Sequence, residues 1–133
     1  MKDDNCLFCR IVSGEIAAAK VFEDGDTLVF LDHRPLFAGH SLVIPKEHFE
    51  TLSDLPAAGV GKFFTNVQLL ARAVEKALGA EGTFVAMNNK ISQSVPHLHV
   101  HRRDKCNWAF GRDDRAGQQV IADAVCGLAD DVR

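Results

Sequence analysis

The 133-residue chain has no apolar run approaching the roughly 18 residues from which a membrane helix would be suspected. Its opening residues, Met1-Lys2-Asp3-Asp4-Asn5, are polar and acidic, unlike the apolar stretch of a secretory leader. A soluble cytoplasmic protein with no membrane partner is the expectation. Clustered positive charge is also missing: Lys and Arg total 15 against 18 Asp and Glu, the formal net charge is −3, and no stretch is dense enough to neutralise a long phosphate backbone. Duplex nucleic acid is therefore not an expected partner, although backbone N–H groups and a few imidazoles suffice for one or two phosphates. No internal repeat, low-complexity tract or linker divides the chain, so residues 1–133 are expected to form a single domain. Cysteine is limited to Cys6, Cys9, Cys106 and Cys126. Without a leader these thiols are expected to stay reduced, which ranks metal binding or plain burial above disulfides.

What is present is a foldable hydrophobic pattern, with 47% hydrophobic residues. Residues 27–32 (TLVFLD) and 41–44 (SLVI) are short apolar, β-branched runs separated by Pro35 and Gly39 and closed by Pro45, and they read as neighbouring antiparallel strands. From 55 to 78 the apolar positions Val60, Phe63, Phe64, Val67, Leu70, Ala71, Val74 and Leu78 recur mostly at steps of three and four. This predicts one long amphipathic helix, capped by Ser53 or Asp54 and stopped by Gly79. Residues 84–88 (FVAMN) read as a third strand, Leu98 and Val100 as part of a fourth, and 118–129 as a weak C-terminal helix. Strands grouped around one long helix indicate an α+β fold with a mainly antiparallel sheet.

The chemistry gathers at His97-Leu98-His99-Val100-His101, which holds three of the six histidines. In a strand alternate side chains share a face, so three imidazoles project together over about 13 Å while Leu98 and Val100 point into the core. An expression tag would be contiguous and terminal, without that alternation. By itself Cys6-x-x-Cys9 is compatible with redox chemistry, half a metal site or two buried thiols.

Together these segments resemble the histidine triad (HIT) family, whose signature alternates three histidines with apolar residues. The resemblance spans most of residues 6–101. Cys6-Leu7-Phe8-Cys9-Arg10-Ile11 is similar to the cysteine pair of the bacterial zinc-containing members. Phe30-Leu31-Asp32-His33-Arg34-Pro35, with the run from Gly39 through His48, resembles the base and ribose segment. Met87-Asn88-Asn89 and Gln93-Ser94-Val95-Pro96 resemble the phosphate segment.

The resemblance implies a HIT-like fold, a small-molecule nucleotide substrate, a homodimer, and hydrolysis or nucleotidyl transfer at the α-phosphorus of nucleoside phosphoramidates or dinucleoside polyphosphates. It implies His99 as nucleophile. General chemistry agrees, because a neutral imidazole attacks phosphorus and leaves a phosphoramidate that water can cleave. A bond from Nδ1–H to a carbonyl would leave Nε2 as the attacking lone pair. His101 and His40, with Gln93, Ser94 and backbone near Val95, would stabilise charge on the phosphate oxygens. Asp32 would accept the ribose hydroxyls and Phe30 enclose the base, with His33 and Asn88 as further substrate contacts. The zinc-containing relatives imply a structural zinc on Cys6, Cys9, His48 and His97, a closed set without a catalytic position.

One departure stands out. His101 runs straight into Arg102-Arg103-Asp104-Lys105, where relatives carry two apolar residues and Pro-Arg. The pair Arg102 and Arg103 reads as a solvated charge run, and no family role transfers to Trp108. Two other functional readings are carried alongside: a nucleotide-binding regulatory protein with little catalysis, and a zinc or redox module built on Cys6 and Cys9.

Overall fold

A computed structural model describes residues 3–33 and 40–104. Five strands, β1 (Lys20–Glu23), β2 (Thr27–Leu31), β3 (Ser41–Pro45), β4 (Thr83–Ala86) and β5 (Val100–Asp104), form one sheet in the order β1-β2-β3-β5-β4. Every neighbouring pair is antiparallel. With helices α1 (Leu7–Val12) and α2 (Ala57–Leu78), this is the α+β architecture that the sequence predicts.

The sheet is covered on both faces, which is why Leu28, Val29 and Phe30 of β2 and Leu42, Val43 and Ile44 of β3 are apolar on both sides of the strand. On one face Phe63, Val67, Leu70, Ala73 and Val74 of α2 pack with Val29, Val43, Leu98 and Val100. On the other, Phe8, Cys9 and Ile11 of α1 pack with Leu28, Phe30, Leu42 and Ile44. Each large apolar side chain removed from water contributes roughly 1.5–3 kcal/mol. That outweighs the cost of about 1 kcal/mol for each of the early helix glycines, Gly59 and Gly61, so packing rather than propensity holds α2.

The helix begins two residues later than its apolar pattern suggests. Leu55 precedes Pro56 and is extended, at φ −68° and ψ 122°, as a residue before proline prefers. Asp54 serves a different turn: in the 3₁₀ segment Leu52–Asp54 its carboxylate accepts from the Thr51 amide at 3.0 Å and the Thr51 hydroxyl at 2.8 Å. Gly79 ends α2 as predicted, in the left-handed region at φ 60° and ψ 32°. Buried Asn66 ties the helix to the β1–β2 turn by donating to Asp24 at 2.9 Å and to the Thr27 hydroxyl at 3.0 Å.

Strand β4 starts one residue early and ends at Ala86, so Met87 and Asn88 leave the ladder. Strand β5 continues past His101, pairing Arg102 with Ser41 on one side and Val85 on the other. Arg102 is fully buried, which corrects the solvated reading at that residue: alternation puts it on the face of Leu98 and Val100. The predicted C-terminal helix, Trp108, Cys106 and Cys126 lie outside the described residues. Among the described residues no helix is long and apolar enough to cross a membrane.

Candidate functional site

The alternation across residues 97–101 does what its pattern predicts. Leu98 and Val100 are buried in the α2 layer, while the histidines lie on the α1 face. There His97 and His99 both meet Phe8 edge-on, at centroid distances of 5.8 and 5.2 Å, and His99 meets His101 at 4.9 Å. Regular pairing begins only at Val100. The residues before it are held by bonds of their own, from the Leu98 amide to the Phe49 carbonyl at 2.6 Å and from the His97 amide to the Val95 carbonyl at 2.8 Å.

At one end of the row four donor atoms converge. The sulfurs of Cys6 and Cys9, with a ring nitrogen each from His48 and His97, lie within 4.8 Å of one another. Cys6 Sγ stands 3.3 Å and Cys9 Sγ 3.6 Å from His97 Nδ1, and Cys9 Sγ is 3.3 Å from His48 Nδ1. The pairing has a local cause: Cys6 caps α1, its sulfur accepting the Cys9 amide at 3.3 Å, so one helical turn brings both sulfurs to the same side.

His97 Nε2 donates to the Pro45 carbonyl at 2.8 Å. This second bond fixes the tautomer and leaves the Nδ1 lone pair facing the thiols, an arrangement usual behind a metal-ligating histidine. Burial pushes the His97 pKa down to about 4, the main cause being desolvation. Burial likewise pushes the Cys6 thiol up to about 11. Two soft sulfurs and two imidazoles at these spacings match a tetrahedral zinc-type donor set, and the cluster can hold a metal.

His99, in the middle, donates from Nδ1 to the backbone carbonyl of His97 at 2.7 Å. Nε2 is thereby left as the lone-pair nitrogen, in the tautomer that attack on an electrophile requires. The ring retains only 1% of its exposure, so a ligand meets at most its edge.

At the far end His101 Nδ1 lies 3.1 Å from His40 Nε2, which in turn lies 3.7 Å from Asp32 Oδ2. Strand register creates this group, since Leu42 is opposite His101, Leu31 is opposite Ser41, and the Asp32 amide donates to the His40 carbonyl at 2.9 Å. His33 Nδ1 is 3.6 Å from the other Asp32 oxygen, but its side chain is 78% exposed.

The remaining sequence candidates divide. Phe30 is buried, with its ring 5.5 Å from Phe8, and so forms the floor behind the histidine row. Val95 packs partly buried on the same cluster, while Ser94 and Asn88 are exposed. Gln93 ties its loop to a neighbouring segment: its Oε1 accepts from the Lys90 amide at 2.8 Å, and its Nε2 donates to the Glu50 carbonyl at 2.6 Å. Sequence reasoning missed Phe8, the ring that touches Phe30, His97 and His99 together. Its place between the two cysteines was the available signal.

Comparison with known proteins gives a concordant result. The HIT domain model matches residues 13–102. Adenylylsulfatase HINT3 of Arabidopsis thaliana is 38% identical over 112 residues, covering 80% of this chain and 57% of that protein. The chain thus spans a little over half the length of that relative. Adenosine 5'-monophosphoramidase hnt1 of Schizosaccharomyces pombe is 38% identical over 109 residues, covering 80% of this chain and 79% of that one. A crystal structure of a zinc-bound histidine triad family protein from Mycobacterium smegmatis superposes with a TM-score of 0.85 at 34% identity, covering 95% of this chain and 96% of that chain.

Proposed function

The chain belongs to the HIT domain family, and on that premise we propose that it is a nucleotide hydrolase or nucleotidyl transferase in which His99 attacks the α-phosphorus of a nucleoside phosphate derivative. The observation that carries this reading is the 2.7 Å bond from His99 Nδ1 to the His97 carbonyl, which dedicates Nε2 to the substrate.

In the first step Nε2 forms a bond to phosphorus as the bond to an amine, sulfate or phosphate leaving group breaks; a departing amine takes a proton from solvent, and sulfate or phosphate departs as the anion. In the second, a water oxygen bonds to phosphorus, the P–Nε2 bond breaks, and a nucleoside monophosphate departs. His40 and His101, one strand apart, hold the non-bridging oxygens as charge develops. Asp32 accepts the ribose hydroxyls. Phe30 acts from beneath the site, and Gln93 acts by bracing the loop that carries Ser94 and Val95. Nucleoside phosphoramidates, sulfate-linked adenylates and dinucleoside polyphosphates share the reacting end, and the activities of two relatives, an adenylylsulfatase and an adenosine 5'-monophosphoramidase, favour the first two classes.

A structural zinc on Cys6, Cys9, His48 and His97 belongs to the same reading. Its supports are the fit of the donor set and the zinc-bound relative. Such an ion ties α1 to the start of the triad segment, and His99 remains outside its ligand set. We extend the proposal to one domain acting as a homodimer in a reducing, cytoplasmic setting. The edge strand β4 supports pairing, because its Phe84 and Val85 are 56% and 42% exposed.

The test is turnover of adenosine 5'-phosphoramidate by His99→Ala. The account expects hydrolysis to fall by at least about a thousandfold with adenosine monophosphate binding retained, and comparable turnover removes His99 from the nucleophile's role. The deep burial of His99 favours one second reading, a nucleotide-binding regulatory protein, for which the native chain itself would show no turnover.

A further inference from the structure

Outside the Cys6–Cys9 cluster, a second set of metal-binding atoms converges where β2, β3 and β5 run side by side. His40 Nε2 is 3.1 Å from His101 Nδ1 and 3.7 Å from Asp32 Oδ2, and the three donors lie within 4.8 Å of one another. Around a tetrahedral ion with bonds of about 2.0–2.1 Å, adjacent donors stand about 3.3 Å apart, so two of the three edges are already close to that spacing. We propose that Asp32, His40 and His101 form an exchangeable second site for a divalent transition ion of the Zn²⁺ class.

Three features carry this. The donors are preorganised, because each comes from a segment fixed by the ladder: Asp32 directly after β2, His40 directly before β3, and His101 within β5. Little movement is needed to gather them, and His40 is already buried. The donor chemistry is selective, since two imidazoles and one carboxylate suit zinc, cobalt or nickel, whereas magnesium and calcium prefer oxygen ligands throughout. Among the described residues the set numbers three donors, which leaves a position for water or an anion, so the ion exchanges more readily than one enclosed by two thiolates and two imidazoles.

Uptake rearranges the protons shared by the two imidazoles. One of the two facing ring nitrogens carries the hydrogen of their 3.1 Å contact. In the metal-bound state both are lone-pair donors, and each imidazole carries its proton on the opposite nitrogen. The ion then occupies the place assigned above to phosphate oxygens and ribose, which makes it a competitor of the nucleotide. That consequence rests on the proposed function, whereas the site itself stands on its donor geometry.

The experiment is stepwise cobalt(II) and zinc(II) titration of the whole chain, with uptake measured by equilibrium dialysis. The first cobalt equivalent is expected to produce thiolate-to-metal charge transfer from Cys6 and Cys9, and a second, weaker equivalent to add only ligand-field bands. Asp32→Asn and His40→Gln are each expected to weaken the second equivalent at least about tenfold. Retention of the thiolate band in those variants reports an intact fold. Uptake that stops at one ion per chain, or a second ion bound with native affinity by both variants, overturns the proposal. Neither readout involves turnover, so a failure here is distinct from a failure of the nucleotide reading.

Discussion

The His97 backbone carbonyl accepts the Nδ1 hydrogen of His99 at 2.7 Å, while the side chain of the same His97 faces two thiols and donates to Pro45. One residue therefore belongs to the metal-type cluster through its ring and orients the neighbouring imidazole through its backbone. The donor cluster and the tautomer of His99 are thereby joined through one residue.

Removal of the metal provides the first prediction. Cys9→Ser takes one sulfur from beside both His48 and His97. Tightly held zinc, measured after dialysis that strips the exchangeable ion, is expected to fall well below one per chain, with a stability loss of about 3 kcal/mol, or roughly 10 °C in Tm for a domain of this size. Chelation of the native protein is expected to reproduce that shift and to leave Cys9→Ser unchanged. An equal further drop in the variant would place the ion elsewhere.

The pH dependence of the metal-free protein has a definite sign. Desolvation lowers His97 from 6.5 to about 4 in the folded chain. Between those values the unfolded chain binds a proton that the folded chain refuses, so folding stability from this group is complete above about pH 6.5 and is lost as pH falls toward 4. Denaturation midpoints of the metal-free protein at pH 7, 5.5 and 4.5 are expected to decline in that order. A flat profile contradicts the burial of His97 as a neutral ligand.

Phe8 supplies the third prediction. Its ring is 5% exposed and edges onto Phe30, His97 and His99. Phe8→Ala is expected to cost about 3 kcal/mol through the cavity it leaves. The milder Phe8→Leu keeps the fold while releasing the His99 ring, and turnover is expected to drop roughly tenfold or more, with little change in nucleotide affinity. Unchanged kcat in Phe8→Leu would show that the edge contact does not aim the imidazole.

The sequence announces some of these features clearly and hides others. The alternating triad, the apolar runs of β2 and β3, the three-and-four spacing of α2 and the stop at Gly79 are local patterns, and each corresponds to an element or face in the structure. Helix α1, with six residues, and β1, with four, are too short for a periodic signal and owe their form to packing. The burial of Arg102 is likewise tertiary: charge suggests solvent, whereas the continued ladder fixes the side it faces. The place of Gln93 before the triad favours a phosphate contact for its amide over an ordinary surface-loop role. Only the positions of the Lys90 amide and the Glu50 carbonyl show that the loop engages it.

The most direct measurement is capture of the covalent state. A substrate labelled at the α-phosphorus is mixed with the native chain, quenched in alkali to preserve a histidine–phosphorus bond, and the label is mapped by peptide mass spectrometry. The account predicts one nucleotidyl group on the peptide carrying residues 97–101, attached at His99 and lost on exposure to acid. Turnover with the label on another residue, or with no protein-bound label at any time within a single turnover, contradicts it.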